Sequence, residues 1–204
     1  IFSRGCEGNW IHHNEVFDNA EHGIMLDRGS NNNTISDNLV YNNSDGIAIF
    51  QSSNNLIEGN RLQNNRRGVR INATYDSDDR YDGLAIENIV VGNTIIDSLQ
   101  YGVYLYERGD RTTIRDNLIV GSAHSGVYLR SGANMLSGNT IQKNGHGVTI
   151  IGGTYALPPP GGPASAACRF ARRRISARGE RFTGLGVIRR HAFPRTRLSS
   201  LRLL

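Results

Sequence analysis

The sequence predicts an all-β fold, a right-handed parallel β-helix over residues 1–154. Three observations predict it: a recurring Gly-led apolar strand, a second recurring signature of a short apolar pair and then an asparagine, and a composition break where the repeats stop. The strand recurs as HGIMLD (His22 to Asp27), DGIAIF (Asp45 to Phe50), RGVRIN (Arg67 to Asn72), YGVYLY (Tyr101 to Tyr106), SGVYLR (Ser125 to Arg130) and HGVTII (His146 to Ile151). The glycines are spaced by 23, 22, 34, 24 and 21 residues. One coil therefore takes about 22 residues, with one insertion, and about six coils stack into a solenoid.

Within each strand the period is two, so side chains alternate between interior and exterior. Ile24 and Leu26, Ile47 and Ile49, Val69 and Ile71, Val103 and Leu105, Val127 and Leu129, and Val148 and Ile150 are the inward column. Met25, Asp27, Ala48, Phe50, Arg70, Asn72, Tyr104, Tyr106, Tyr128 and Arg130 face out. Six strand spacings of ~4.8 Å give a rod of roughly 29 Å with one long face open to function. The asparagines Asn14, Asn38, Asn60, Asn93, Asn117 and Asn139 each follow a short apolar pair, one per coil. They are expected to stack at a turn, bonding amide to amide and adopting the left-handed geometry that Asn tolerates.

The composition break sets the domain boundary. Residues 1–154 hold 12 Lys plus Arg against 17 Asp plus Glu, whereas 155–204 hold 11 Arg and a single acid, Glu180. All 21 asparagines precede the boundary and all five prolines follow it. The segment 155–204 is thus a Pro/Arg-rich tail, expected to be disordered or artefactual rather than part of the solenoid. Because the basic pI belongs to that tail, nucleic acid is not expected as a partner of the domain. No apolar run approaches the roughly 18 residues of a membrane span. Cys6 and Cys168 fall on opposite sides of the boundary, which implies no disulfide framework. A soluble monomer is expected. Ile1 to Arg4 look like the end of a first strand whose Gly precedes residue 1, so upstream coils are expected to be missing.

The insertion between Arg70 and Ile86, NATYDSDDRYDGLA, is acidic and carries two tyrosines, which suits a loop overhanging the outward face. Its aspartates lack the spacing of a calcium loop. Asn72-Ala73-Thr74 matches a glycosylation acceptor, a match too short to carry weight. His12 and His13 stand beside Glu15, but neighbours on a strand point to opposite faces and would not share an ion. No metal and no cofactor are expected.

Ser3 to Cys6 (SRGC), His22 to Ser30 (HGIMLDRGS) and Asp45 to Ile57 (DGIAIFQSSNNLI) resemble the mannuronan C5-epimerases of alginate biosynthesis, of the periplasmic type. The resemblance is sharp over Ile1 to Asn60, becomes a generic repeat through Thr154, and is absent from the tail. It implies polymer-level inversion at C5, converting mannuronate to guluronate in alginate or another polyuronate, in the periplasm or outside the cell. The family's Asp-Pro-His-Asp type motif, expected on a preceding coil, does not occur in these residues. Catalysis is therefore expected of a longer parent. A non-catalytic β-helix binding an acidic polysaccharide and a polysaccharide lyase stay open as alternatives.

By that resemblance His22 borders the active-site groove and is the candidate for proton transfer. Arg4 and Arg28 are read as equivalent strand ends one coil apart, where a guanidinium clamps a uronate carboxylate. Asp27 lies beside them to fix an arginine or accept from a hydroxyl. Arg70, Tyr104, Tyr106, Tyr128 and Arg130 are the remaining substrate-binding candidates, since aromatic rings stack on sugar faces while arginines meet carboxylates.

Overall fold

The computed structural model describes residues 1–73 and 83–151. The tail and the middle of the insertion lie outside the described residues. Every coil gives one strand to each of three parallel sheets. The first sheet stacks β1 (Phe2–Arg4), β4 (His22–Asp27), β7 (Asp45–Phe50), β10 (Arg67–Asn72), β13 (Tyr101–Leu105), β16 (Ser125–Leu129) and β19 (His146–Ile150). The second stacks β2 (Trp10–His12), β5 (Thr34–Ser36), β8 (Leu56–Glu58), β11 (Ile89–Val91), β14 (Thr113–Arg115) and β17 (Met135–Ser137). The third stacks β3 (Glu15–Phe17), β6 (Leu39–Tyr41), β9 (Arg61–Gln63), β12 (Thr94–Ile96), β15 (Leu118–Val120) and β18 (Thr140–Gln142). This is the predicted parallel β-helix, with β1 pairing in its first sheet.

The inward column is the core. Ile24, Leu26, Ile47, Ile49, Val69, Ile71, Val103, Leu105 and Val127 are fully buried, and Val148 and Ile150 pack on the same core. Strands of three residues in the other two sheets send in only their middle residue, such as Ile35, Ile57 and Ile114 in one and Val40, Leu62 and Ile119 in the other.

The predicted asparagine ladder exists. The Oδ1 of Asn38, Asn60, Asn93, Asn117 and Asn139 each accepts from the backbone N–H of the ladder asparagine one coil earlier. Two further ladders went unread in the sequence. Asn9, Asn33, Asn55 and Asn88 form one, and Asn19, Asn43 and Asn65 another, so each corner of the coil has its own. The backbone expectation needs correcting: the left-handed residue is the one before each asparagine. At the first ladder these are His13, Asp37, Gly59, Gly92, Asp116 and Gly138, with φ between 54° and 65°. The asparagine is thereby kept in a conformation from which its amide reaches the adjacent coil, while glycine or a short polar residue absorbs the turn.

The strand-leading glycines from Gly23 to Gly126 are required by close stacking, whereas a Cβ on Gly147, in the last strand, would meet nothing within 4 Å. A Cβ on Gly68 would lie 2.5 Å from Ile95 Cγ2 and 2.6 Å from the carbonyl oxygen of Gly102. The coil above blocks one side and the core the other. Gly68→Val is expected to cost about 3 kcal/mol by overpacking, read as a lower urea midpoint at unchanged m-value.

Candidate functional site

On the outer face of the first sheet, the residue before each glycine forms one column: His22, Asp45, Arg67, Tyr101, Ser125 and His146. Met25, Ala48, Arg70, Tyr104, Tyr128 and Thr149 form the next. Stacking these columns converts unremarkable single residues into a charged cluster around Asp45.

The Asp45 side chain is fully buried, whereas its neighbours His22, Arg67 and Arg70 retain 16%, 12% and 24% exposure. Arg67 grips the carboxylate with two nitrogens, Nε to Oδ1 and Nη2 to Oδ2, the latter at 3.2 Å. Arg70 Nη1 donates to Oδ2 at 3.4 Å. His22 Nδ1 lies 3.1 Å from Oδ2, at ion-pair distance but out of line for a hydrogen bond. Burial alone would raise the Asp45 pKa, but the His22 contact and the charges of Arg67 and Arg70 outweigh it and hold the carboxyl below its ordinary 3.8. Phe50 closes the cluster: its ring meets that of His22 edge-on at 5.4 Å and lies under the Arg70 guanidinium at 4.5 Å. Arg70 Nε is buried without a hydrogen-bond partner.

The structure therefore brings the candidates His22 and Arg70 together through Asp45. Asp45, Arg67 and Phe50 were not singled out in the sequence. A register alignment of the coils was the signal that could have found them, since it sets an Asp between a His and an Arg in successive coils.

Arg4, Asp27 and Arg28 form a second, looser group. Arg4 Nε and Arg28 Nε lie 3.9 and 4.0 Å from Asp27 Oδ2. The expected equivalence of Arg4 and Arg28 does not hold: Arg4 pairs with Asp27, and Arg28 sits one residue beyond, at the left-handed turn that ends the strand. The two arginines flank Asp27 from different backbone positions. His22 and Asp27 begin and end β4, so five strand rises, roughly 16 Å, separate this group from His22 along the strand.

The remaining candidates form an aromatic shelf. Tyr104 stacks on Tyr128 at 5.0 Å and on Tyr106 at 5.5 Å. Arg130 lies over the Tyr106 ring at 4.7 Å and donates to its hydroxyl. Burial, followed by the neighbouring Tyr128 and Tyr106, pushes the Tyr104 pKa up to about 12. Its phenol is a hydrogen-bond donor at neutral pH, not a base.

Two minor expectations change. His13 occupies the left-handed corner, so its ring swings beside that of His12 instead of opposing it, and the two Nδ1 atoms lie 2.8 Å apart. Asn72 is only 4% exposed, within β10, which removes it as a glycosylation acceptor.

The family described as periplasmic copper-binding protein (NosD) matches residues 1–82 and 80–156. A mannuronan C5-epimerase of Pseudomonas putida is 40% identical over 94 residues, a stretch covering 45% of this chain and 18% of that protein. A double mutant of the periplasmic alginate epimerase AlgG superposes with a TM-score of 0.64 at 23% identity, over 73% of this chain and 34% of that one. AlgG without those mutations gives 0.51 at 20% identity, over 73% and 35%. At such identities these likenesses speak for the fold. The chain spans less than a fifth of the curated relative and about a third of the solved ones.

Proposed function

The chain belongs to the family of the periplasmic copper-binding protein NosD, and from that fold, with its mannuronan-epimerase-like stretch, we propose that these coils hold polyuronate for C5 epimerisation of mannuronate to guluronate. The observation that carries the proposal is the convergence of His22, Arg67 and Arg70 on the buried Asp45. A periplasmic location accords with it, since the family and the solved neighbours are periplasmic proteins.

C5 inversion needs a base that takes a weakly acidic proton from one ring face, a donor, a side chain or a solvent molecule, that returns a proton to the opposite face, and cations or donors that steady the carboxylate as charge develops on it. Asp45 engages the Nδ1 side of His22, which leaves Nε2 as the nitrogen that handles the proton. Arg70, half-buried over Phe50, supplies a guanidinium beside that imidazole for the C6 carboxylate of the same sugar. Arg4 and Arg28, at the other end of the strand, meet a different carboxylate of the polymer. Tyr104, Tyr106 and Tyr128 offer ring faces further along the rod.

The family description implies copper, but the described residues do not fit it. Copper sites draw on several converging imidazole, thiolate or thioether ligands. Among the described residues no group of three His, Cys, Asp or Glu side chains comes close enough to share an ion. His12 and His13 supply two nitrogens only, and Cys6 donates to the Arg4 carbonyl instead. No step is derived through copper.

The test is proton NMR of polymannuronate incubated in deuterated water with the longest natural reading frame that carries these coils. Guluronate signals with deuterium at C5 are expected, and His22→Gln should cut their rate by about 10²-fold or more. Unsaturated chain ends would identify a lyase instead. Silence, with polymannuronate still bound, would leave a glycan-binding β-helix.

A further inference from the structure

The outer face of the first sheet changes character along the rod. Its first four coils carry Arg4, Arg28, Arg67, Arg70 and His22, whereas β13, β16 and β19 present tyrosine, serine, threonine and histidine, with Arg130 only beyond the end of β16. In this second zone the face hollows into a cavity of about 320 Å³. Tyr101 and Tyr128 touch each other, 5.0 Å apart and tilted by 51°, and together line one side of it. Its floor is small, with Ser125 and Thr149, whose hydroxyls are bonded at 2.8 Å, while Ala123 and Gly145 are exposed at its edge. His124 and His146 form the rim, with the His124 ring edge-on to Tyr101 at 5.5 Å.

We propose that this cavity is a second glycan subsite that takes one pyranose ring of the same polymer held at His22, by stacking rather than by charge; it rests on the polyuronate reading above. Its volume is at the small end of ligand pockets, which start at about 300 Å³. No Lys, Arg, Asp or Glu lines it, so a carboxylate is not what it selects. One continuous aromatic side beside a hydroxyl-bearing floor matches a ring with an apolar C–H face and hydroxyl edges. Tyr104 joins the zones: its ring contacts both Tyr101 and Tyr128 at 5.0 Å, and the Arg67 guanidinium lies over it at 5.5 Å. From β4 to β13 and β16 is three to four strand spacings, about 14–19 Å. A polymer lying along the rod thus reaches both places, and a disaccharide does not.

The experiment titrates the full chain with a mannuronate disaccharide and an octamer, following the histidine Cε1–H proton resonances, assigned by single His→Gln variants. The octamer is expected to shift His22, His124 and His146, and the disaccharide His22 alone. Tyr128→Ala should weaken octamer binding about tenfold. Ala123→Phe, which crowds the edge of the cavity without deleting a tyrosine, should do the same and leave disaccharide affinity unchanged. Octamer binding that shifts His22 but leaves His124 and His146 silent, or that is indifferent to both variants, overturns the subsite and leaves the polyuronate reading intact. Shifts at His124 and His146 with His22 silent support the cavity as a glycan site and overturn the reading at His22. Silence at all three overturns both.

Discussion

Asp45→Leu is expected to destabilise the protein by about 3–5 kcal/mol, among the largest effects of any single substitution in the chain. The carboxylate has no solvent access, and the guanidiniums of Arg67 and Arg70 are directed onto it at the sheet face. Removing it leaves two half-buried cations and an imidazole facing one another with nothing to offset them. Urea unfolding at neutral pH measures the loss, and Asp45→Asn, which keeps the shape and removes the charge, separates electrostatics from packing. The pH dependence has a definite sign. Although burial acts to raise the Asp45 pKa, His22 and the two arginines leave it lower in the folded state than in the unfolded one. Its contribution is therefore fully present above the unfolded value of about 3.9 and is lost as pH falls through the folded value. The stability gap between wild type and Asp45→Asn should narrow as pH is lowered below about 4. A gap that stayed constant there would show that the cluster does not depend on the charge of Asp45. The same variant is expected to lower C5 exchange, because His22 and Arg70 lose their common anchor.

Much of this architecture is legible in the sequence because a solenoid writes its geometry as periodicity. Period-two alternation in His22–Asp27 separates Ile24 and Leu26 from Met25 and Asp27, and the structure buries the first pair fully. The ladder through Asn60 is legible because the same signature recurs in every coil. The ladders through Asn43 and Asn55 are harder to see: Ser98, Ser122 and Thr112 interrupt those corners, where the Ser98 and Ser122 hydroxyls make no hydrogen bond and only the backbone N–H groups of Ser122 and Thr112 pass the ladder on, to Asn144 and Asn134. The Asp45 cluster was illegible for another reason. A lone Asp before a glycine looks like any polar turn residue, and its partners Arg67 and Arg70 lie 22 and 25 residues away. Only the hydrogen-bonded register brings them into contact. Misplacing Arg28 by one residue has the same origin, because the strand end is fixed by the left-handed turn at Arg28 and not by the identity of the arginine.

Asn60→Ala is the second large effect, with an expected loss of about 4 kcal/mol or more. Asn60 is buried at 1% exposure in the middle of its ladder. Its Oδ1 accepts from both the backbone N–H and the side-chain amide of Asn38 at 3.0 and 2.9 Å. Its Nδ2 donates to the carbonyls of Ile35 and Glu58 and to Asn93 Oδ1. Alanine strands these groups in a corner closed by the coils on either side, and each unsatisfied buried donor or acceptor costs about 1–3 kcal/mol. Asn60→Asp is a sharper probe, because it retains the acceptor for Asn38 but turns the donating nitrogen into an oxygen facing two carbonyls and a third oxygen. It should be at least as damaging as alanine. Asn19→Ala gives the contrast: that exposed asparagine donates to Phe17 O and Asn43 Oδ1 and should cost about 1 kcal/mol or less. Comparable losses at Asn60 and Asn19 in urea unfolding would mean that the ladders decorate the corners. A clear difference would mean that buried amide stacking, together with the apolar column, holds each coil in register beneath the site.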